Sequence, residues 1–335
     1  MGRLANIFRR FKRSARPTSS SQPLTGNNVI EIRGLTKVHG DRTILDGIDL
    51  DVRRGEILCL LGPNGVGKTA VLRLLSGLDA PTAGSVNVLG FNPVSERDQV
   101  ERRVCFLSDT THFQEKKTGR EILLAVAHKL SPTSAKAEER VEAVLARTQL
   151  VGVAGERVAT YSRGVRQRLA IAEALVKRAE ILALDEPAMG LDPIVTEVLL
   201  QTIEDLKREN VTVVMASHLL DGVQGTCDRV AILKDARIVL IGTTTELIAA
   251  APDIQNTLYL EAGDIDVASV IRGVEGVQKV LRERGGAWRV TADRDVRAAA
   301  AKQIMSRGGT LTRLTSAQPT LREVYAQYFQ ASPAP

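Results

Sequence analysis

The sequence predicts an α/β fold with a mainly parallel sheet, followed by a small α+β domain of ferredoxin-like topology. From Val29 to about Gly242, short strand-like runs alternate with helical patterns, as in α/β domains. After Gly242 the pattern changes to β-α-β-β-α-β with one added helix. The longest apolar runs, such as Ile57–Leu61 and Ile181–Leu184, are typical of buried parallel strands. They are far shorter than the about 18 apolar residues of a membrane span.

The chain divides into three predicted segments: a basic arm over residues 1–28, an α/β domain over 29–245 and a C-terminal domain over 250–331. Six of the 45 basic residues fall within residues 1–30, where there is no acid. The other basic residues equal the 39 acids in number, so the folded body is neutral. A nucleic-acid binder needs a basic face. We therefore expect no nucleic-acid partner.

The arm has three possible roles. Leu4, Ile7, Phe8 and Phe11 recur at helical spacing among basic residues, which suits a helix lying on an anionic membrane surface. A stretch rich in Arg and Ser without acids is also typical of an organelle transit peptide. A disordered basic tail is the third reading.

The elements of the α/β domain follow from its apolar runs. Strands are predicted, in order, at IEI, DLDV, ILCLL, VNVL, VCFL, ILALD, VTVVMAS, RVAIL and RIVLI. Helical patterns follow Gly67, occur between Gly119 and Leu150, and recur at Val165–Arg178, Ile194–Glu209 and Leu219–Thr226. In the C-terminal domain, TLYLEA, VQKVLRE, WRVTA and GTLTRL predict strands, whereas Val267–Arg272, Arg294–Ser306 and Thr320–Phe329 predict helices. We place the boundary between the domains near residues 245–255.

A glycine-rich segment indicates a nucleoside triphosphate site. The residues from Gly62 to Thr69 match G-x-x-x-x-G-K-[ST] between a strand and a helix, the context that this motif requires. The backbone N–H groups of such a loop, which includes Asn64, Gly65 and Gly67, wrap around phosphates, and the helix N-terminus adds positive potential. Lys68 is expected to reach the β- and γ-phosphates, and the Thr69 hydroxyl to ligate Mg²⁺.

Two neighbouring carboxylates supply the second part of this site. The run ILALD predicts a buried strand that delivers Asp185 beside the phosphates, where it would hold Mg²⁺. Glu186, one residue on, can orient and deprotonate the attacking water.

Further motifs make the chain similar to the ATPases of ABC transporters. The segment YSRGVRQRL, from Tyr161 to Leu169, resembles the signature motif of that family, and GLDP at residues 190–193 resembles its D-loop. The resemblance covers residues 30–245 in the family's own order. It implies a P-loop NTPase domain in which Ser162 and Gly164 of one subunit face the ATP of the other.

The resemblance also implies roles for several single residues. It implies that His218 is the switch histidine, that Asp192 lies near the ATP, and that His39 stacks on adenine; an exposed loop histidine is the alternative for His39. Ser162 is expected to cap the helix that follows it as well. Asp109 stands where the family usually has Gln, and can ligate Mg²⁺ but cannot donate a hydrogen bond when ionised.

The resemblance implies an ATP- and Mg²⁺-dependent ATPase that forms a head-to-tail homodimer and drives separate membrane permease subunits, as an exporter. It would be peripheral on the cytoplasmic face of the cell membrane. Arg163, where many members have Gly, is expected to place a positive charge near the partner's phosphates. The C-terminal domain is interpreted as a dimerisation or regulatory module. Alternatives are a soluble ABC-type ATPase acting on a non-transport assembly, and a regulator that binds ATP without hydrolysing it.

Overall fold

The computed structural model describes residue 24 and residues 26–108, 113–130, 133–218, 225–250, 257–283, 286–316 and 321–330. The chain forms two compact units that divide after Ile241, a few residues before the boundary that the sequence suggests. Nearly all of the basic arm lies outside the described residues, as do Asp109 and most of the predicted helix Leu219–Thr226.

The described strands of the first unit form two sheets. One is antiparallel, in the order β2-β1-β4, and consists of β1 (Asn28–His39), β2 (Arg42–Arg53) and β4 (Ala83–Val88). The other has the order β5-β6-β7-β3-β8-β9 and consists of β3 (Ile57–Leu61), β5 (Val104–Leu107), β6 (Ile181–Asp185), β7 (Thr212–Ser217), β8 (Arg229–Lys234) and β9 (Arg237–Gly242). Its strands from β5 to β8 pair in parallel.

The separate antiparallel sheet is a difference from the single, mainly parallel sheet that the sequence predicts. Only Gly40 and Asp41 stand between β1 and β2, and so short a connection can join only antiparallel strands. The parallel strands β3, β6 and β7 are almost wholly buried. This burial explains why their sequences are uniformly apolar rather than alternating.

Among its described residues, the first unit also has six α-helices. They are α1 (Lys68–Leu75), α2 (Arg97–Glu101), α3 (Gly119–Leu130), α4 (Ser134–Arg147), α5 (Arg163–Lys177) and α6 (Pro193–Arg208). One core packs α1 between the sheets, around Leu58, Leu60 and Leu72. A second core lies among α3, α4 and α5, around Leu123 and Val141.

The second unit has the order of elements that the sequence pattern predicts. After α7 (Thr244–Ala249) come β10 (Thr257–Gly263), α8 (Val267–Arg272), β11 (Val277–Arg282), β12 (Trp288–Ala292), α9 (Arg297–Ser306), β13 (Thr310–Ser316) and α10 (Leu321–Gln330). The four strands form an antiparallel sheet in the order β11-β12-β10-β13. Trp288 packs against the core of this unit.

The register of the parallel sheet decides where the functional residues meet. Leu61 at the end of β3 pairs with Ser217 at the end of β7, and Asp185 at the end of β6 pairs with Ala216. The segments that follow these three strands therefore leave the same edge of the sheet, the usual place for ligands in α/β folds. Among the helices that the structure describes, none has both the length and the apolar character needed to cross a bilayer.

Candidate active site

The glycine-rich loop connects the buried strand β3 to α1 with little freedom to change shape. Gly65 and Gly67 have φ angles of 78° and 112°, a region that residues with a side chain rarely adopt. A Cβ atom on Gly67 would lie 2.6 Å from Leu45 Cδ2, and one on Gly62 would lie 2.7 Å from the carbonyl oxygen of Leu233. The loop therefore has the tight, fixed backbone that a phosphate cradle needs.

Lys68 is the first residue of α1, and its side chain is 5% exposed. Its Nζ donates hydrogen bonds to the carbonyl oxygens of Gly62 at 2.7 Å and Pro63 at 3.2 Å. The same atom lies 3.3 Å from Glu186 Oε1. A buried ammonium is costly unless it is paired, and here two carbonyls and a carboxylate pair it. A fixed positive charge thus stands at the glycine-rich loop.

Thr69 and Asp185 bring two oxygen ligands together. The Thr69 hydroxyl donates to Asp185 Oδ2 at 2.8 Å. Hydroxyl and carboxylate oxygens are the hard ligands that Mg²⁺ prefers, and it usually takes only one or two protein ligands beside phosphates. Thr69 directly follows Lys68, so the pair lies beside the glycine-rich loop. The residues therefore fit a magnesium ion that is held together with a phosphate chain.

Glu186 follows Asp185 and contacts both Lys68 and His218. Its Oε2 lies 2.8 Å from His218 Nδ1 and accepts a hydrogen bond from the His218 backbone N–H at 3.3 Å. Glu186 has a φ of 47°, unusual for a residue with a long side chain, and its backbone N–H donates to the Ala216 carbonyl at 3.0 Å. Strained backbone of this kind is concentrated at functional sites.

A cleft of about 570 Å³ is lined by His39 and by these groups except His218, which contacts the cleft residue Glu186. Its lining includes Asn64, Gly65, Gly67, Lys68, Thr69, Asp185 and Glu186, which sequence reasoning placed in one site. Sequence reasoning missed four charged residues of the lining: Lys37, Arg42, Arg73 and Asp79. A signal existed for Lys37, because residues two apart on a strand share a face, and Lys37 precedes His39 by two positions on β1.

The charged lining near His39 includes an ion pair. Arg73 Nε donates to Asp79 Oδ2 at 2.8 Å. This hydrogen bond is the main reason why the pKa of Asp79 lies below its usual value, with smaller contributions from the charges of Lys37 and His39. The side of the cleft around His39 is therefore polar.

Ser162, Gly164 and Asp192 are not among the residues that line the cleft, and instead occur together elsewhere in the first unit. The Ser162 hydroxyl caps α5 by accepting from the Val165 N–H at 3.4 Å, and Asp192 caps α6 by accepting from the Val195 N–H at 2.9 Å. A Cβ atom on Gly164 would lie 2.8 Å from Val195 Cγ1, so the two caps are neighbours. The capping role that the sequence assigns to Ser162 is present.

Comparison with known proteins gives a family match in this unit. The family model described as ABC transporter matches residues 45–189. The daunorubicin resistance ATP-binding protein DrrA3 of Streptomyces coeruleorubidus is 30% identical over 300 residues, which are 89% of this chain and 95% of that protein. The Nod factor export ATP-binding protein I of Neorhizobium galegae is 32% identical over 233 residues, covering 69% of this chain and 66% of that protein.

A solved structure shares the fold of the first unit. It is an ATP-binding cassette determined as a dimer in a post-hydrolysis state with ADP and Pi. The match has a TM-score of 0.56 and 23% sequence identity, and covers 64% of this chain and 98% of the other.

Proposed function

We propose that this chain, which belongs to the family of ABC transporter ATP-binding proteins, hydrolyses ATP to drive the separate membrane-spanning subunits of an exporter. The observation that carries the proposal is the convergence of Lys68, Thr69, Asp185 and Glu186 in the lining of one cleft, with His218 in contact with Glu186. These groups supply phosphate binding, metal binding and a base within one site.

ATP binding rests on the loop and on Lys68. The Nζ of Lys68 is held by two carbonyl oxygens only about 3 Å away, and a phosphate oxygen is a stronger, charged acceptor. The ammonium is therefore expected to turn from the Gly62 and Pro63 carbonyls to the β- and γ-phosphates. The backbone N–H groups of the loop and the N-terminus of α1 add to the attraction.

Thr69 and Asp185 would hold Mg²⁺, which neutralises charge on the β- and γ-phosphates when it is bound. The hydrogen bond between the two side chains would then give way, since both oxygens serve as ligands. Asp109, which the sequence also makes a candidate ligand, is proposed for this role on its residue type alone.

Glu186 is the proposed general base. Its carboxylate can accept the proton of a water molecule that attacks the γ-phosphate, help that is worth a factor of about 10²–10⁴ in rate. His218 donates from Nδ1 to an ionised Glu186, a tautomer that leaves Nε2 as an acceptor. His218 thereby fixes the orientation of the carboxylate. His39 would stack on the adenine, within the same cleft.

The helix caps Ser162 and Asp192 are the residues that we expect a second copy of the chain to use. Because neither lines the cleft of its own chain, we propose that Ser162, Gly164 and Asp192 complete the site of a second copy in a head-to-tail homodimer. The structurally similar cassette that was solved as a dimer with ADP and Pi supports this proposal by its similarity of fold.

Export, and a place on the cytoplasmic face of the cell membrane, rest on the relatives. Two relatives, which match 89% and 69% of this chain, carry names of daunorubicin resistance and of Nod factor export. We therefore propose a small or amphiphilic molecule as cargo. The basic arm would add attraction to anionic lipid of about 1 kcal/mol per basic residue near the surface.

The proposal is tested by Glu186→Gln. Glutamine keeps the size of the side chain but cannot take the proton of the water. The variant should bind Mg²⁺-ATP, lose hydrolysis by a factor of about 10²–10⁴, and accumulate as a dimer in size-exclusion chromatography with light scattering.

Two controls separate the parts of the proposal. Ser162→Arg in the Glu186→Gln background should abolish the dimer and leave nucleotide binding intact, because Ser162 lies outside the cleft of its own chain. A wild-type protein that binds ATP and does not hydrolyse it, even with its membrane subunits, would favour the binding-only regulator. A Glu186→Gln variant that stays monomeric at saturating ATP would contradict the shared site.

A further inference from the structure

Arg163, the third residue of the signature segment, lies against the loop that follows Glu186. A Cβ atom placed on Gly190 would stand 2.5 Å from one guanidinium nitrogen of Arg163 and 3.2 Å from its central carbon. Gly190 has a φ of 71°. The guanidinium thus lies over Gly190, where a side chain on any other residue would displace it.

A second contact joins the signature segment to the residues around the start of α6. A Cβ atom on Gly164 would lie 2.8 Å from Val195 Cγ1 and 3.7 Å from Leu191 Cδ2. Val195 leaves no room for a methyl group on Gly164, so the start of α5 packs closely against the first turn of α6, and Arg163 adds a contact over Gly190. A shift of one segment therefore has to move the other, because closely packed groups transmit displacement.

The loop under Arg163 begins at the proposed base. Glu186 contacts Lys68 at 3.3 Å and His218 at 2.8 Å, and only three residues separate it from Gly190. Within the first unit, a continuous path of contacts and short chain thus runs from the cleft to the turn that carries Ser162.

We propose that Arg163 is a positioning residue that holds the Ser162–Gly164 turn in register with the Glu186–Asp192 loop of its own chain. This inference rests on the proposed function, in which that turn completes the site of a second copy. The state of one cleft would then be passed to the neighbouring site through the guanidinium of Arg163. The expectation from sequence, that Arg163 acts as a charge on the partner's phosphates, makes the opposite prediction in the following experiment.

The test is a double-mutant cycle between Arg163→Ala and Gly190→Asn, measured as kcat for ATP in the full-length chain with its membrane subunits. Asparagine tolerates positive φ better than most residues, so Gly190→Asn mainly adds a side chain that displaces the guanidinium. Each single variant should lower kcat by about fivefold or more, as expected for residues in direct contact. The double variant should be no slower than the slower single variant, because removing Arg163 leaves no guanidinium to displace. If the two losses instead multiply, Arg163 and Gly190 act independently and the proposal is wrong.

A second variant tests charge against shape. Arg163→Lys keeps the positive charge and loses the flat guanidinium, so it should resemble Arg163→Ala; full activity of the lysine variant would support a charge on the partner's phosphates and overturn the proposal. ATP binding to the Arg163→Ala chain alone should change by less than about twofold, since Arg163 does not line the cleft. Weaker binding that accounts for the whole loss of kcat/KM would assign Arg163 to the nucleotide instead.

The matched control is Arg208→Ala, which removes an exposed arginine at the end of α6 that pairs with Asp205 and should leave kcat unchanged. A kcat lowered as much as in Arg163→Ala would show that the loss follows from removing any surface charge, and would overturn the proposal. Failure of the proposed function is a separate result. It would appear as a wild-type chain without ATP turnover, whereas failure of this inference would appear as multiplying losses in a chain that hydrolyses ATP normally.

Discussion

Substituting Gly67 by alanine should deform the glycine-rich loop and abolish nucleotide binding. Gly67 precedes Lys68 and has φ 112° and ψ 1°. A Cβ atom there would stand 2.6 Å from Leu45 Cδ2 and 2.7 Å from the Ile44 carbonyl oxygen. The carbonyl belongs to strand β2 and cannot rotate away as a side chain would. The loop must therefore move, and with it the backbone N–H groups that are to bind phosphate.

The magnitude follows from two costs. A residue other than glycine in a rarely populated backbone region costs about 1–3 kcal/mol. Forcing a methyl group into a filled space costs about 1–3 kcal/mol more. We expect Gly67→Ala to lower the free energy of unfolding of the first unit by about 2–6 kcal/mol, from the sum of the two costs.

Two other glycines separate the two costs. Gly65, in the same loop, has φ 78°, and its nearest atom would be an Arg42 nitrogen at 3.8 Å, an ordinary contact. Gly47 has φ 64° with no atom within 4 Å. Alanine at either position should therefore cost only the backbone contribution, about 1–3 kcal/mol.

Urea unfolding followed by circular dichroism measures the three variants together. With an m value of about 3 kcal/mol per molar, the midpoint for Gly67→Ala should fall by about 0.7–2 M, against about 0.3–1 M for the other two. Tryptophan fluorescence does not serve here, because the single tryptophan, Trp288, lies in the second unit. Midpoints are compared because a chain of two units need not unfold in one step.

Binding of a fluorescent ATP analogue supplies the functional measurement. Gly67→Ala should show no saturable binding, whereas Gly47→Ala, outside the lining of the cleft, should bind as the wild type does. If Gly67→Ala has the same midpoint as Gly47→Ala and binds the analogue normally, then the contact with β2 does not hold the loop, and the reasoning is refuted.

Two further predictions concern Lys68 and the cysteines. Lys68→Ala should lower ATP turnover by a factor of about 10² or more, because it removes a fixed charge beside the phosphates. A kcat within tenfold of the wild type in a steady-state ATPase assay would contradict that role. Burial raises the pKa of the Cys59 thiol and raises that of Cys105 to about 11, and both side chains are buried, whereas Cys227 is half-buried. At pH 8 iodoacetamide should therefore modify Cys227 first and the other two only after unfolding; peptide mass spectrometry showing equal rates would disprove this order.

The order of strands and helices could be predicted from the sequence because both units have the usual patterns of apolar residues for these elements. Continuous apolar runs identified β3, β6 and β7, and the β-α-β-β-α-β order of the second unit could be read in the same way. The assignment of β1, β2 and β4 to a sheet of their own was missed. A strand's sequence shows which of its faces are buried, but hydrogen-bond partners distant in sequence are set by packing.

The residues of the candidate site likewise fall into those that the sequence predicted and those that it did not. Motif spacing pointed to Lys68, Thr69, Asp185 and Glu186, since one strand–loop–helix and one strand end define them locally. The contribution of Asp79 to the cleft carried no sequence signal, because it comes from a segment beyond the end of α1. The role of Asp109 stays a prediction, because it lies outside the described residues.

The sequence by itself predicted the residues of the candidate site, because the glycine-rich loop and the DE pair at residues 185–186 require particular residue types at fixed short spacings. Only the tertiary structure decided which groups meet across the chain: Glu186 with His218 at 2.8 Å, and Arg163 over Gly190. The physical reason is that spacing along the chain fixes local backbone geometry, whereas contacts between distant segments depend on strand register and on the close packing of side chains.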